Sequence, residues 1–273
     1  MPELPEVETI KNQLLNARLL NQVVEEAHFY WSNTLADPSI EDFNKIVIGQ
    51  CIKDILRRGK YLVFRLKDYD IIVHLRMTGQ FQIRKEKPST ITHERAYLKI
   101  GSNYLIFHDV RKFGRWQLVK DYKVRLSHLG AEPLTSDFKL KDFLDKLKKS
   151  SRAIKPALLD QRLISGIGNI YADESLWQAK LRPTRSCETI KPKEVKLLFI
   201  AIKDILKRAV KENGSSLGNG KANFKGLDEI HGKYQYNFNV YQRHRLPCPN
   251  CKKPIDKIKF HQRSAHFCSF CQK

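Results

Sequence analysis

The sequence lacks the long apolar segments that membrane and exported proteins carry. No stretch of its 273 residues approaches the roughly 20 consecutive apolar residues that a transmembrane helix requires. No apolar signal region follows Met1 either. These two absences disfavour a membrane protein and a secreted one, and they predict an intracellular, cytoplasmic protein.

Acidic residues are scarce relative to basic ones. Fifty Lys and Arg residues stand against 29 Asp and Glu residues, which leaves a formal net charge of +21 and a pI near 9.7. Such an excess of positive charge is self-repulsive unless the protein binds a polyanion, so the composition favours nucleic acid as the partner. An anionic membrane surface is the competing partner. The hydrophobic content of 41% is sufficient for folded domains.

The pattern of apolar residues changes along the chain. Its length exceeds the usual size of a single hydrophobic core, so two domains are expected. Apolar residues spaced three or four apart after Pro5 predict an opening helix. Short β-rich runs from Val23 to Val119 predict a mostly antiparallel sandwich or barrel. Beyond a candidate boundary at 130–133 the pattern becomes helical.

Four of the six cysteines have the spacing of a metal site. Cys248 and Cys251 form one CxxC pair, Cys268 and Cys271 form another, and sixteen residues separate the pairs. Such spacing is typical of tetrahedral zinc sites with four thiolates. Two disulfides are the alternative, but they require an oxidising compartment that the sequence does not indicate. We therefore predict one structural zinc ion.

The amino terminus carries a candidate nucleophile. If Met1 is removed, Pro2 becomes a secondary amine. A free α-amino group has a pKa of roughly 7.7–8.0, so part of it is unprotonated at neutral pH. Attack of such an amine on a sugar carbon would give a covalent iminium. The alternative is that Pro2 only permits removal of Met1, and that the nearby acidic residues start an ordinary helix.

Three motifs follow one another along the chain: the terminal Pro-Glu-Leu-Pro-Glu, the Gly-Ile-Gly-Asn-Ile-Tyr segment at 166–171 and the four-cysteine ribbon. In this order they resemble the formamidopyrimidine-DNA glycosylase family of base-excision repair enzymes. The segments 57–62 and 109–114 also match, so the resemblance runs from end to end. It implies a bifunctional DNA repair glycosylase and AP lyase. Such an enzyme excises oxidised purines from duplex DNA and then cleaves the strand by β,δ-elimination.

The resemblance also implies an α+β, two-domain fold. An N-terminal helix and an antiparallel β-sandwich would be followed by a helical helix-two-turn-helix domain that ends in a four-cysteine zinc β-hairpin. We place the catalytic domain at 1–133, the helix-two-turn-helix domain at 134–235 with a glycine-rich loop at 213–232, and the hairpin at 236–273. The expected partner is duplex DNA with a damaged base in the nucleoid, bound by a monomer.

The resemblance assigns four candidate catalytic residues. Pro2 attacks the anomeric carbon of the damaged nucleotide, and Glu3 acts as general acid on the deoxyribose ring oxygen. Lys60 lies at the active site near phosphate, and Arg263 grips the phosphate beside the lesion through its planar guanidinium. Outside the family, Glu3 would be interpreted as a solvated helix-start carboxylate and Lys60 as a surface charge.

A glycosylase has to flip its target nucleotide out of the duplex and fill the gap. The resemblance gives this role to Met77, Arg111 and Phe113, because apolar wedges unstack bases and arginine can bond the orphaned partner base. Outside the family, Met77 and Phe113 would be interpreted as core residues at strand ends. The other DNA-binding residues implied by the resemblance are His74, His93, Lys155 and Asn169.

The sequence leaves two alternatives open. Endonuclease VIII-type enzymes share the terminal proline and the zinc ribbon but prefer oxidised pyrimidines; Leu4 and the pairing of Arg111 with Phe113 favour the purine-specific family. A non-catalytic zinc-ribbon DNA-binding protein is the second alternative. The chain also departs from the family at 92–95, where it keeps only the first histidine of a cluster that is frequent in relatives.

Overall fold

The computed structural model describes residues 1–88, 93–216, 227 and 231–273. The chain divides into two compact units, Met1–Ser127 with Asn213–Lys233 and His128–Glu212 with Tyr234–Lys273. Among the described residues, no helix is long and apolar enough to cross a membrane. The division into three domains at 133 and 235 stays a prediction.

The first unit opens with the predicted helix and continues as strands. Pro5 lies in the first turn of the helix, where its missing N–H costs nothing. The elements are α1 (Leu4–Asn16), β1 (Val24–Phe29), β2 (Leu35–Asp37), α2 (Ile40–Val47), β3 (Asp54–Arg58), β4 (Tyr61–Arg65), β5 (Asp70–His74), β6 (Gly79–Arg84), β7 (Glu94–Ile100), β8 (Asn103–Asp109), β9 (Arg115–Val119) and α3 (Tyr122–Arg125).

These strands form two sheets. The first has the order β1-β7-β8-β6 and is antiparallel throughout. The second has the order β2-β9-β5-β4-β3; among its described strands the short edge strand β2 pairs with β9 in parallel, and the other pairs are antiparallel. The sandwich prediction is confirmed, with this one parallel pair as the exception to antiparallel pairing.

A single aromatic core joins the two sheets. Phe64 of the second sheet and Phe81 of the first have ring centroids 5.8 Å apart, and Trp116 lies 5.9 Å from Phe81. The apolar face of α1 enters the same core through Val7 and Ile10, which are fully or almost fully buried. Each such side chain contributes about 1.5–3 kcal/mol by leaving water. The helix that carries the amino terminus is therefore fixed by core packing.

The second unit is helical and ends in a β-hairpin. Its elements are α4 (Leu140–Lys148), α5 (Ile154–Leu159), α6 (Asn169–Gln178), α7 (Pro192–Lys211), β10 (Asp256–Phe260) and β11 (Arg263–Phe267). The helix α6 packs against both α7 and β11. The buried side of α7 has the three-or-four spacing seen in the sequence and includes Val195, Leu198, Ile202, Ile205, Leu206 and Ala209. The predicted α+β class is confirmed.

Candidate functional site

The amino-terminal turn is held by reciprocal hydrogen bonds. Pro2 is buried and Glu3 is 3% exposed, although Glu3 carries a carboxylate. Glu3 caps α1: its side chain accepts from the backbone N–H of Glu6, and the Glu6 carboxylate accepts from the Glu3 N–H at 2.9 Å. This arrangement is a capping box, and the helix dipole favours both carboxylates there. The Pro2–Glu3 peptide consequently has a fixed orientation.

Glu6 also connects this turn to a distant segment of the same unit. Its Oε1 accepts hydrogen bonds from the backbone N–H of Ser215 at 2.7 Å and from the Ser215 hydroxyl at 3.2 Å. Gly214 precedes Ser215 with a φ of +73°, and a Cβ at that position would lie 2.6 Å from Glu6 Oε1. Only glycine allows this approach. The buried Glu6 therefore joins the terminus to the start of the glycine-rich segment.

Lys60 lies in the turn between two strands that pack against the opening helix, and His74 ends the neighbouring strand β5. Lys60 precedes β4 in the turn after β3 and is only 5% exposed. The helix α1 packs against both strands and is tied to β3 by Glu8, whose carboxylate lies 2.6 Å from Arg57 Nε. A lysine predicted as a possible surface charge is therefore buried on the elements that support the terminus.

His74 is held as a neutral ring. Burial, together with the positive charges of Arg76 and Lys60, lowers its pKa to about 3. Its Nδ1 accepts the backbone N–H of Arg76 at 2.9 Å, so Nε2 carries the proton and can donate to a ligand. Tyr61 packs edge-on against the ring at 4.6 Å.

The three predicted gap-filling residues lie together. Arg111 Nη1 lies 3.0 Å from the Met77 sulfur, and the Arg111 guanidinium lies 4.7 Å from the centre of the Phe113 ring. Met77 is 40% exposed and Phe113 is 44% exposed, so neither is a core residue. The Asp109 carboxylate shapes the turn that carries Arg111 and Phe113 by accepting from the backbone N–H groups of Arg111 and Gly114. The result is an exposed cluster with two apolar ends and a cation between them.

His93 lies apart from that cluster in sequence, at the start of β7. It is exposed with a φ of +65°, and its Nδ1 lies 3.1 Å from Arg95 Nη2. Its ring packs edge-on against His108 at 5.6 Å. Of the departure from the family at 92–95, Thr92 lies outside the described residues.

In the second unit, Asn169 is the first residue of α6. It follows Gly166 and Gly168, and Gly166 has a φ of +89°. The Asn169 Oδ1 atom is buried and has no hydrogen-bond partner among the described residues. The backbone N–H groups at a helix start attract anions, whereas the unsatisfied Oδ1 is an acceptor and can bind only a hydrogen-bond donor of a ligand.

Arg263 and Lys155, also in the second unit, have different surroundings. Arg263 is exposed and opens β11 after a two-residue turn in which His261 and Gln262 both have positive φ. Lys155 is only 2% exposed, and its Nζ lies 2.6 Å from the Asp173 carboxylate. Arg263 is therefore presented to solvent, whereas Lys155 lies in a buried ion pair.

The four cysteines meet at the base of the hairpin. Their sulfur atoms all lie within 4.8 Å of one another, with Cys251 and Cys268 3.4 Å apart and Cys248 and Cys271 3.9 Å apart. Four zinc–sulfur bonds of about 2.3 Å in a tetrahedron place the sulfurs roughly 3.8 Å apart. The four thiolates therefore fit a single zinc ion.

Profiles of known protein families match most of the chain. The formamidopyrimidine-DNA glycosylase N-terminal domain matches residues 1–116, the H2TH domain of that enzyme matches 129–220, and a zinc finger found in FPG and IleRS matches 245–273. The formamidopyrimidine-DNA glycosylase of Protochlamydia amoebophila is 42% identical over 280 residues, which cover 100% of both chains. The chain belongs to the formamidopyrimidine-DNA glycosylase family.

Two solved structures of family members extend this similarity. A mutant FPG of Lactococcus lactis in complex with a Fapy-dG containing DNA is 36% identical, with a TM-score of 0.92 over 100% of both chains. The wild-type Lactococcus lactis protein in complex with an oxidized pyrimidine containing DNA has a TM-score of 0.90 at the same identity and coverage. The predicted family and the predicted structural zinc site are confirmed, and the roles of individual site residues stay predictions.

Two polar residues of this formamidopyrimidine-DNA glycosylase chain were not predicted from its sequence. Glu6 was interpreted as a helix-start carboxylate, although its spacing of three from Glu3 is the signal of a capping box. Asp173 gave no signal, because its partners come from other parts of the chain. The contacts of the glycine-rich loop could not be predicted either, and residues 217–226 and 228–230 lie outside the described residues.

Proposed function

We propose that this chain is a bifunctional DNA glycosylase and AP lyase that removes 8-oxoguanine and formamidopyrimidines from duplex DNA. The observation that carries the proposal is the capped terminus, in which the Glu6 carboxylate accepts from the Glu3 N–H at 2.9 Å. This bond fixes the peptide that follows Pro2. A secondary amine held in one orientation avoids the entropic cost of aligning a mobile nucleophile with a sugar carbon.

The chemistry begins once Met1 has been removed. The lone pair of the Pro2 nitrogen attacks C1′, and the bond between C1′ and the damaged base breaks, so that the base leaves with the electron pair and takes up the proton that the Pro2 nitrogen loses. Glu3 donates a proton to the deoxyribose ring oxygen, the ring opens, and an iminium forms between C1′ and the Pro2 nitrogen. The buried position of Glu3 in the cap supports this role.

The iminium then permits strand cleavage. It acidifies the C2′–H bond, and loss of that proton expels the 3′ phosphate; a second elimination expels the 5′ phosphate. Water finally hydrolyses the iminium and releases Pro2. Lys60, buried beside α1, and the exposed Arg263 are the proposed phosphate-side residues. The zinc ion has a structural role, because four thiolates leave no coordination position for water.

Access to the base requires the nucleotide to leave the stack. We propose that the cluster of Met77, Arg111 and Phe113 fills the gap that the flipped nucleotide leaves in the duplex. Its two apolar side chains are exposed and flank a guanidinium. His74 Nε2, His93 and the amide of Asn169 are the proposed DNA contacts. The net charge of +21 supports attraction to the phosphate backbone. We further propose that the protein acts as a monomer on nucleoid DNA in the cytoplasm.

Oxidised pyrimidines are a second candidate substrate class. The Lactococcus lactis relative has been crystallised with an oxidized pyrimidine containing DNA as well as with Fapy-dG containing DNA. The arginine and phenylalanine of the exposed cluster favour the purine class for this chain. The relative rates on the two lesions decide between them.

The experiment is borohydride trapping with Met1-processed protein. Duplex DNA with 8-oxoguanine opposite cytosine, and a matched duplex with an oxidised pyrimidine, are incubated with the protein, reduced and digested for mass spectrometry. The proposal expects an adduct on Pro2 that forms faster with the purine lesion. A faster adduct with the pyrimidine would support an endonuclease VIII-type enzyme. Tight DNA binding without any Pro2 adduct would support a non-catalytic binder and overturn the proposal.

A further inference from the structure

A buried ionic cluster in the second unit lies directly behind the strand that Arg263 opens. Lys155 of α5 and Asp173 of α6 form its centre, with a distance of 2.6 Å between Nζ and Oδ1. The Lys155 side chain is 2% exposed and the Asp173 side chain is 0% exposed. Two opposite charges this far from water are stable only when each is paired and hydrogen-bonded.

Both members of the pair also bind the strand β11. Lys155 Nζ donates to the backbone carbonyl of Ser264 at 2.6 Å. Asp173 Oδ2 accepts the backbone N–H of His266 at 3.0 Å, and His266 Nδ1 lies 3.3 Å from the same oxygen. Two backbone groups of β11, two residues apart, are therefore held by one ion pair. Arg263 is the residue immediately before the first of these anchors.

The same pair fixes the start of α6. Asp173 follows Asn169 by four residues, so the two side chains lie on one side of the helix, about one turn apart. Asp173 binds β11 and lies on the same helix as Asn169. It therefore connects β11 rigidly to the helix start that carries Asn169. Two predicted phosphate contacts thus depend on one buried pair for their spacing.

From this geometry we infer that Lys155 and Asp173 are positioning residues that hold Arg263 and Asn169 in register for the DNA phosphates, and that Lys155 does not itself bind phosphate. The Lys155 ammonium already donates to the Ser264 carbonyl, and the Asp173 carboxylate at 2.6 Å compensates its charge within the protein. The inference rests on the proposed function, because it takes Arg263 as a phosphate contact.

Asp173→Asn distinguishes a positioning role of Lys155 from direct phosphate binding, because the two roles predict opposite changes in DNA affinity. If Lys155 binds phosphate, this substitution removes a competing anion and should tighten DNA binding. If the pair positions Arg263, the substitution leaves Lys155 without its counter-ion and disturbs β11, so binding should weaken. Affinity is measured by titration of a duplex with an uncleavable abasic analogue at several salt concentrations. Tighter binding, or no change, would overturn the inference.

The salt dependence of a double mutant gives a second test. Each lost phosphate contact lowers the magnitude of the slope of log K against log[salt] by about 0.9. Arg263→Ala is expected to show this loss, and Lys155→Met should show a similar loss because it misplaces Arg263. Combining the two should give no further loss if Lys155 acts through Arg263. A further loss of about 0.9 in the double mutant would show that Lys155 is a separate phosphate contact.

Controls distinguish a loss of affinity caused by misfolding from one caused by misplacement of Arg263. Zinc content and the thermal midpoint of each variant show whether the hairpin remains folded, and Lys207→Met removes an exposed lysine of the same unit as a charge-matched control. Lys155→Arg, which keeps the cation, should restore part of the affinity. The wild-type Pro2 adduct is measured in parallel. If the wild type forms the adduct and Asp173→Asn binds DNA more tightly, only the positioning role of Lys155 and Asp173 is rejected, whereas absence of the adduct would reject the proposed function.

Discussion

The amino-terminal turn and the four-cysteine hairpin are fixed by different kinds of interaction. The sulfur ligands of the hairpin lie at most 23 residues apart, and their geometry fits one zinc ion that would connect them. The amino-terminal turn depends instead on Glu6, which binds Ser215 across 209 residues of sequence. Long separations cost more chain entropy to close, and here that cost is met by the core of the first unit. The hairpin therefore depends on zinc, and the turn depends on the completed fold.

This difference means that the two regions can be damaged separately. Loss of the metal should affect the hairpin and leave the capped turn intact. Loss of a polar contact at the turn should affect the nucleophile and leave the zinc in place. Substitutions in each region, compared with the same assays, show how far chemistry and DNA binding are independent.

Pro2→Gly should have the largest effect. It keeps a terminal amine but removes the ring that holds the amine in one orientation, and a misplaced nucleophile costs on the order of 10²-fold in rate. We expect the borohydride adduct to form at least about that much more slowly, while affinity for an abasic-analogue duplex stays close to that of the wild type. Equal losses of adduct and affinity would count against Pro2 as the nucleophile.

Zinc removal should have the next largest effect and should act on binding. The buried apolar residues of the hairpin form only a small cluster, including Val240 and Ile255, so metal coordination supplies much of its folding free energy. We expect chelation to lower DNA affinity, because the hairpin that presents Arg263 loses the metal to which its folding is coupled. Re-addition of zinc should restore it. Full affinity after verified zinc loss would give the metal a peripheral role.

The sequence predicts these two regions unequally. Cysteine spacing is sufficient for the zinc site, because all four ligands are local and their chemistry is specific. The terminal proline gives a nucleophile only together with the family resemblance. Met77 and Phe113 have apolar side chains that the pattern alone assigns to the core, and their exposure depends on the turns that carry them. Contacts between distant segments, such as Glu6 with Ser215, leave no periodic signal in the sequence.

Glu6→Gln tests whether the distant contact matters for the nucleophile. The amide keeps the shape of the side chain but replaces one acceptor oxygen with a donor, so one of the bonds to Glu3 and Ser215 is lost. Hydrogen bonds to a charged group contribute about 1.5–3 kcal/mol, and the side chain is 2% exposed, so screening by water is small. We expect a loss of unfolding free energy of this order in urea titrations and slower adduct formation.

Ser215→Ala is the matched control for that substitution. It removes only the hydroxyl contact at 3.2 Å and keeps the backbone N–H bond at 2.7 Å. Its effect should therefore be smaller than that of Glu6→Gln in both assays, and zinc content should not change in either variant. If Glu6→Gln lowers stability without slowing adduct formation, the contact supports the fold but does not orient Pro2.

His74→Gln should have the smallest effect at neutral pH and a distinct effect in acid. Burial, with the charges of Arg76 and Lys60, lowers the pKa of His74 from 6.5 to about 3, so the unfolded chain binds a proton there that the folded chain does not. Stability should therefore fall as the pH is lowered from 6.5 toward 3, by at most about 1.4 kcal/mol per pH unit from this group. Glutamine removes this contribution because it does not titrate.

Urea unfolding of the wild type and His74→Gln across this pH range measures the contribution. The difference between the two proteins should be constant above pH 7 and should shift in favour of the variant as the pH falls. Zinc release in acid affects both proteins alike and cancels in the difference. Parallel curves down to pH 4 would mean that His74 takes up its proton in the folded protein. His74 would then be more accessible to water in the folded protein than its burial indicates.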